Sequence, residues 1–264
     1  MMQRHRINNK RGRALPARLQ LACSIACLVI VTIPAGGTQP KDSIPASQHT
    51  FTIRFRNKAG SRELKLFGET YTNSFGEPMT ITRFKYYVSH IRVAGTDHRE
   101  RPLSNRSYLI DEADPSSKIL VLPYPGIAIQ SITFDIGVDS ILNVSGVQTG
   151  DLDPLKGMFW TWNSGYIFAK LEGQSDSSHA PAHYFNWDVG GFKSPANASR
   201  KITVAVPPRG QMTTASGIVI DADLLKWCDG PHTIKISQHP LCHQPGELAM
   251  QIADNYSTMF SVAP

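Results

Sequence analysis

Residues 157–173, GMFWTWNSGYIFAKLEG, gather Trp160, Trp162, Met158 and Tyr166 around a compact polar turn. So dense a set of electron-rich and apolar side chains marks where a chemistry of this protein is expected. Packing accounts for the same stretch: MFWTW and YIFAKL read as hairpin arms closed by Asn163–Ser164–Gly165. Strand alternation then places Met158, Trp160 and Trp162 on one face with Phe159 and Thr161 opposite. Large aromatics stabilise sheets through burial and cross-strand pairing, so density alone does not decide between the two readings.

Imidazole and thiol groups elsewhere supply further donors. His90 sits inside a strand-like run, where a histidine serves either as a hydrogen-bonded packing residue or as a ligand. His179 and His183 form an HxxxH pair, but Ala180–Pro181–Ala182 between them breaks the helical face that an i,i+4 zinc pair requires. His239 and His243 bracket Cys242 in HPLCH, a softer donor set when the thiol is reduced. Cys228 and Cys242 are open to three readings: one disulfide in an oxidising compartment, free buried thiols, or soft metal ligands.

The elements that must position these groups are mostly strands. In residues 49–55 (HTFTIRF), Phe51, Ile53 and Phe55 share one face. Leu64, Leu66 and Phe67 continue extended after a turn at 58–60, and residues 79–93 (MTITRFKYYVSHIRV) read as a long strand bent near Tyr86–Tyr87. Further strands are expected at 107–111, 117–122, 130–137, 200–206, 215–221 and 232–237, separated by Gly, Pro, Asn and Asp with no long helical period between them. The expected fold is therefore all-β, an antiparallel β-sandwich with a short C-terminal helix and long loops. The helix is 245–259, where Leu248, Ile252 and Tyr256 recur every four residues; 222–227 adds one or two turns. The loop 138–156 is long for a compact domain. Its Asp139, Asp151 and Asp153 lack calcium-loop spacing and favour turn chemistry.

The first residues read as a targeting segment and not as fold. Arg4, Arg6, Lys10, Arg11, Arg13 and Arg18 precede an apolar run, 19–33, that is short for a membrane span. Pro34 and the small residues after it offer a cleavage site. This divides the chain into a signal peptide (1–37), a flexible polar leader (38–48) and one domain (49–264), with a retained N-terminal anchor as the alternative. Of 27 basic and 21 acidic residues, six bases and no acid precede residue 38, leaving 21 of each sign in the mature chain. A neutral mature domain gives no electrostatic footprint for nucleic acid.

The run DIGVDSILNVSGVQTGDLDPLKGMFWTWNSGYIFAKLEG closely resembles the MbnP-like family of periplasmic copper-associated proteins. FRNKAG at 55–60, GEPMTITRFKYYVSHI at 76–91, VGGF at 189–192, LLKWCDGP at 224–231 and IADNYSTMF at 252–260 match in order. The resemblance covers nearly all of residues 50–262, and WTWNSGY is its most specific motif. It implies a periplasmic or secreted protein that binds copper and is the substrate of a MauG-like di-haem peroxidase, which oxidises a tryptophan to kynurenine. Trp160 and Trp162 are the matching positions. Opening an indole to an arylamine creates a nitrogen donor suited, with imidazole, to copper. Many family members carry histidines where this chain has Asn57 and Asp188. A carboxylate binds divalent metals but is a poor ligand for Cu(I). The ligand set implied here is drawn from His90, His179, His183, Asp188, His239 and His243. A second reading is a β-sandwich interaction module that has kept the fold and lost the copper site. An enzyme is third, since the chain carries no GxSxG or HExxH signature.

Overall fold

A computed structural model describes residues 50–123, 125–161, 163–207 and 217–264. The expected signal peptide, the leader and Trp162 lie outside these residues. The strands in chain order are β1 (Thr50–Ala59), β2 (Arg62–Glu63), β3 (Thr70–Thr72), β4 (Pro78–Ala94), β5 (Glu100–Ser104), β6 (Tyr108–Asp111), β7 (Ile119–Pro123) and β8 (Ser131–Ile136). Next come α1 (Ser140–Val144), β9 (Phe159–Thr161), β10 (Gly165–Gln174), β11 (Tyr184–Gly190), β12 (Arg200–Ala205) and β13 (Ile218–Asp223). Then follow β14 (Leu241–Cys242), α2 (Glu247–Tyr256) and β15 (Phe260–Val262).

Two sheets form. A five-stranded sheet runs β15-β13-β1-β2, with β7 also paired to β1; a ten-stranded sheet runs β12-β8-β4-β10-β11-β14, with β3, β5 and β6 on β4 and β9 on β10. Most pairs are antiparallel, as alternation and short turns predict. β1 with β13 and β11 with β14 are parallel, because their partners return from distant parts of the chain.

The core lies between the sheets. Along β1, Phe51, Ile53 and Phe55 are buried in strict alternation. Phe55 meets Tyr86 and Phe134 edge-on at 6.0 and 5.8 Å. Trp187 of β11 stacks on Trp227 at 6.5 Å with an 8° angle between rings, and both are fully buried. Trp187 Nε1 donates to the His239 carbonyl at 2.7 Å, and α2 packs Tyr256 against Trp227 at 5.1 Å. The aromatic centre of the fold is therefore this pair, and not the 157–173 stretch.

Four local expectations are corrected. Residues 232–237 are irregular and not a strand: Thr233 makes an isolated bridge to Asp229, and a turn begins at Ile236. Ile234 and Ile236 are buried as a strand would bury them, but the N–H groups of Ile236 and Ser237 donate to the Glu77 carboxylate at 2.8 and 2.9 Å and leave no ladder to form. The irregularity of β4 falls at His90 (φ +49°), with the register to β8 shifting between Ser89 and Arg92, a few residues beyond Tyr86–Tyr87. Residues 66–68 turn instead of extending, with Phe67 at φ +63°. The loop 138–156 is built from α1 and two 3-10 turns at Gly150–Leu152 and Pro154–Lys156, the second capped by Asp153.

Candidate functional site

β10 is buried at every position from Gly165 to Gly173. Its start must be glycine: Gly165 has φ +77°, and a Cβ there would lie 2.2 Å from Asn143 Oδ1. Asn143, at the end of α1, accepts from the Tyr166 N–H at 2.8 Å and donates to the carbonyls of Val138 and Asp139. Tyr166 Oη donates to the Leu152 carbonyl at 2.6 Å and Tyr87 Oη to that of Asp151 at 2.9 Å. These bonds pin the 138–156 segment to the outward face of β4 and β10. Burial pushes the Tyr87 hydroxyl far above its ordinary range, so it stays a neutral donor.

Trp160 lies on this outward side. Its indole is half-buried and rests on Gly190, where a Cβ would meet the ring at 3.0 Å. Gly190 shares its face of β11 with Asp188, two residues earlier. Among the described residues, the Trp160 N–H has no hydrogen-bond partner. Met158 is fully buried, and Phe159 packs edge-on against Tyr166 at 4.9 Å.

Beside Trp160 the same face carries a buried charge cluster. Lys170 Nζ lies 2.6 Å from Asp188 Oδ1 and 2.9 Å from Glu172 Oε1. Arg83 holds the other oxygen of Glu172. Burial raises the Asp188 carboxyl above its usual range despite the Lys170 charge. Burial acts in the same direction on Glu172, but the hydrogen bonds and charges of Lys170 and Arg83 outweigh it and hold that carboxyl below its usual range. Sequence reading passed over Lys170, Glu172 and Arg83. The available signal was the pair of opposite charges at i and i+2 in YIFAKLEG, one face of an otherwise apolar strand.

The expected ligands are dispersed. His90 has Nδ1 3.2 Å from Asp135 and Nε2 3.3 Å from Asp139, so both ring nitrogens already face carboxylates across a small polar cleft of ≈ 120 Å³. His179 and His183 are exposed in the β10–β11 connection, where His183 Nδ1 meets the Ser178 carbonyl at 3.2 Å. The His239 side chain is exposed, while its carbonyl serves Trp187. His243, next to the β11–β14 pairing, is exposed and feels the charge of Asp188. Cys228 and Cys242 are free buried thiols, not a disulfide; burial pushes them up to about 12 and about 11. They sit on separate elements, Cys228 after the 3-10 turn Leu224–Trp227 and Cys242 in β14.

The model for the family described as MbnP matches residues 48–244. The chain belongs to the MbnP family. Among solved structures, MbnP from Methylosinus trichosporium is similar with a TM-score of 0.55 at 17% identity, covering 81% of this chain and 97% of that one. At that identity the likeness speaks for the fold. No curated protein matches the chain.

For an MbnP-family chain, the donor set can be tested against copper directly. Among the described residues, no three His, Cys, Asp or Glu side chains are grouped so as to hold a metal ion. Asn57, where the resemblance implied a histidine, is 1% exposed, donates to Glu112 at 2.8 Å and accepts from Tyr86 at 2.8 Å. Asp188, the other such position, is committed to Lys170. Among the described residues, the buried polar side-chain atoms left without partners are Ser107 Oγ and Asn186 Oδ1, hard oxygens of the wrong character for Cu(I). The unmodified residues described do not fit a copper centre.

Proposed function

We propose that this chain is an exported MbnP-family β-sandwich that acts as the protein substrate of a MauG-like di-haem enzyme, and that Trp160 is the residue oxidised to kynurenine. The carrying observation is the setting of Trp160: a half-buried indole whose N–H has no partner among the described residues, held on a glycine at the outward face of the larger sheet. A ring so placed can be oxidised without opening the core. Trp187 and Trp227 are fully buried and stacked, and are not accessible in this way. Copper binding is the family function proposed for the chain after this modification, because the unmodified donors do not assemble. No helix among the described residues is long and apolar enough to cross a membrane.

The closed networks around Asn57 and Asp188 favour one second reading, an MbnP-fold interaction module without metal. One experiment separates the two. The exported protein is co-produced with the di-haem enzyme, and its mass and copper content are measured beside those of Trp160→Phe. The proposal expects a gain of two oxygen atoms less one CO on the peptide carrying Trp160, absent from Trp160→Phe, with copper retained only by the modified form. Oxidation without copper would establish the module reading, oxidation at Trp162 in place of Trp160 would overturn the assignment to Trp160, and no oxidised tryptophan at either position would sink the substrate role.

A further inference from the structure

Among the described residues, seven large apolar side chains are exposed, and four of them, Ile141, Val144, Val147 and Leu155, fall within the single segment 138–156. They are 68, 56, 70 and 93% exposed. Exposed apolar residues scattered singly need no explanation, whereas a group of them on one segment marks an interaction surface.

The segment holds these side chains outward through buried bonds. Asn143, itself fully buried, accepts from the Tyr166 N–H and donates to the carbonyls of Val138 and Asp139. The Leu152 carbonyl accepts from Tyr166 Oη. Both halves of the segment are thus tied to the two ends of one residue, and they present one face. Ile141 and Val144, three apart in α1, turn to the same side of that helix. Leu155 stands on the turn capped by Asp153. Gly165 and Tyr166, which Asn143 meets, pair with Thr161 and Phe159, the neighbours of Trp160 in β9. The apolar face and the half-buried indole are therefore anchored to the same two residues.

Charge along this face is one-sided. The segment carries Asp139, Asp151 and Asp153 against a single cation, Lys156. Asp139 faces His90, while Asp151 and Asp153 form no ion pair among the described residues.

We propose that the outer surface of 138–156 is the docking face for the haem enzyme that oxidises Trp160, and that the enzyme meets it with an apolar patch rimmed by Lys or Arg. The inference rests on the oxidation reading. An enzyme that draws electrons from a half-buried ring must lie against the neighbours of that ring, and this face is their apolar, acid-rimmed part. Desolvation of the apolar centre supplies affinity, and the acidic rim steers the approach.

The test uses the full exported chain and the resting di-haem enzyme. Binding is measured by calorimetry, and oxidation by the mass of the Trp160 peptide over a range of chain concentrations. Ile141→Lys with Leu155→Lys is expected to raise Kd and KM by about tenfold or more, the scale of losing apolar anchors, with kcat unchanged because the lost contacts are uniform binding. Val144→Lys with Val147→Lys, a second pair in case the first folds poorly, should do the same. Val121→Lys, at an exposed position of β7 in the smaller sheet, should do neither. Asp151→Asn is expected to slow association and flatten its salt dependence. Wild-type protein that does not bind the enzyme would overturn the proposal. So would both double variants binding as tightly as wild type; Trp160 oxidised in them at the wild-type KM would leave the oxidation reading standing without this face. Binding that depends on the face, with Trp160 unoxidised, would keep the face and remove the oxidation reading. A dimer of the chain dissolved by the same variants, with enzyme binding intact, would assign the face to a second copy and overturn the proposal.

Discussion

Among the described residues, the tryptophans occupy two environments. Trp187 and Trp227 stack between the sheets with no exposure, one N–H on a carbonyl and the other 3.3 Å from Met259 Sδ. Trp160 lies in β9 at the outward side of the larger sheet, half-buried on a glycine, with no partner for its N–H among the described residues. The first pair is a packing device, and the second ring is the one proposed for oxidation. Aromatic density in sequence therefore does not separate core from chemistry; the difference lies in what covers each ring and what satisfies its N–H.

The comparison can be broken most directly at the core. Trp227→Ala is expected to cost about 3–5 kcal/mol, as for large aromatic truncations, read by urea denaturation. A cost near that of a surface change would show that the stacked pair does not organise the fold. Glu77→Gln comes next. The Glu77 carboxylate accepts from Asn73, from the backbone of Ile236 and Ser237, and from the Ser237 hydroxyl. Replacing it is expected to cost about 2–3 kcal/mol, the scale of hydrogen bonds to a buried charge.

The same carboxylate gives a pH signature. Burial raises its pKa, but the hydrogen bonds led by Ser237 outweigh burial and leave it below the ordinary glutamate value. Its stabilisation is thus present above the unfolded glutamate pKa and is lost as pH falls through the lower folded value. Denaturation midpoints measured through the acid range should decline in wild type and less steeply in Glu77→Gln; parallel curves would remove Glu77 from the account.

Smaller effects sharpen the outer side of the comparison. Gly190→Ala sets a methyl 2.5 Å from the Tyr166 carbonyl and 3.0 Å from the Trp160 ring. The expected cost is about 1–2 kcal/mol of overpacking, together with a shift in Trp160 fluorescence. An unchanged spectrum would contradict the placement of the ring. Trp160→Phe is expected to change stability by less than about 1 kcal/mol. A loss comparable to that of Trp227→Ala would move Trp160 into the packing class.

Much of the fold was legible. Alternation in β1, the β-branched run of β4 and the four-residue spacing of α2 reflect side-chain burial along a single element, which sequence records directly. Residues 232–237 misled because Ile234 and Ile236 are buried, while the backbone bonds that decide a strand were taken by Glu77, 159 positions from Ile236. The site was less legible for the same reason. WTWNSGY marked Trp160, but the donors that make or deny a metal centre depend on which distant groups each one meets: His90 met Asp135 and Asp139, Asn57 met Glu112 and Tyr86, and Asp188 met Lys170.

The sequence by itself determined the all-β class, the C-terminal helix, the balance of charge after residue 38 and the family motif, because periodicity, charge and motif are properties of residue order. Only the tertiary structure decided that the aromatic centre is Trp187 on Trp227, that Cys228 and Cys242 stay apart, and that Lys170, Glu172 and Asp188 meet in one buried cluster. Each of those facts depends on strand register and sheet pairing, which set the contacts between residues that sequence leaves far apart.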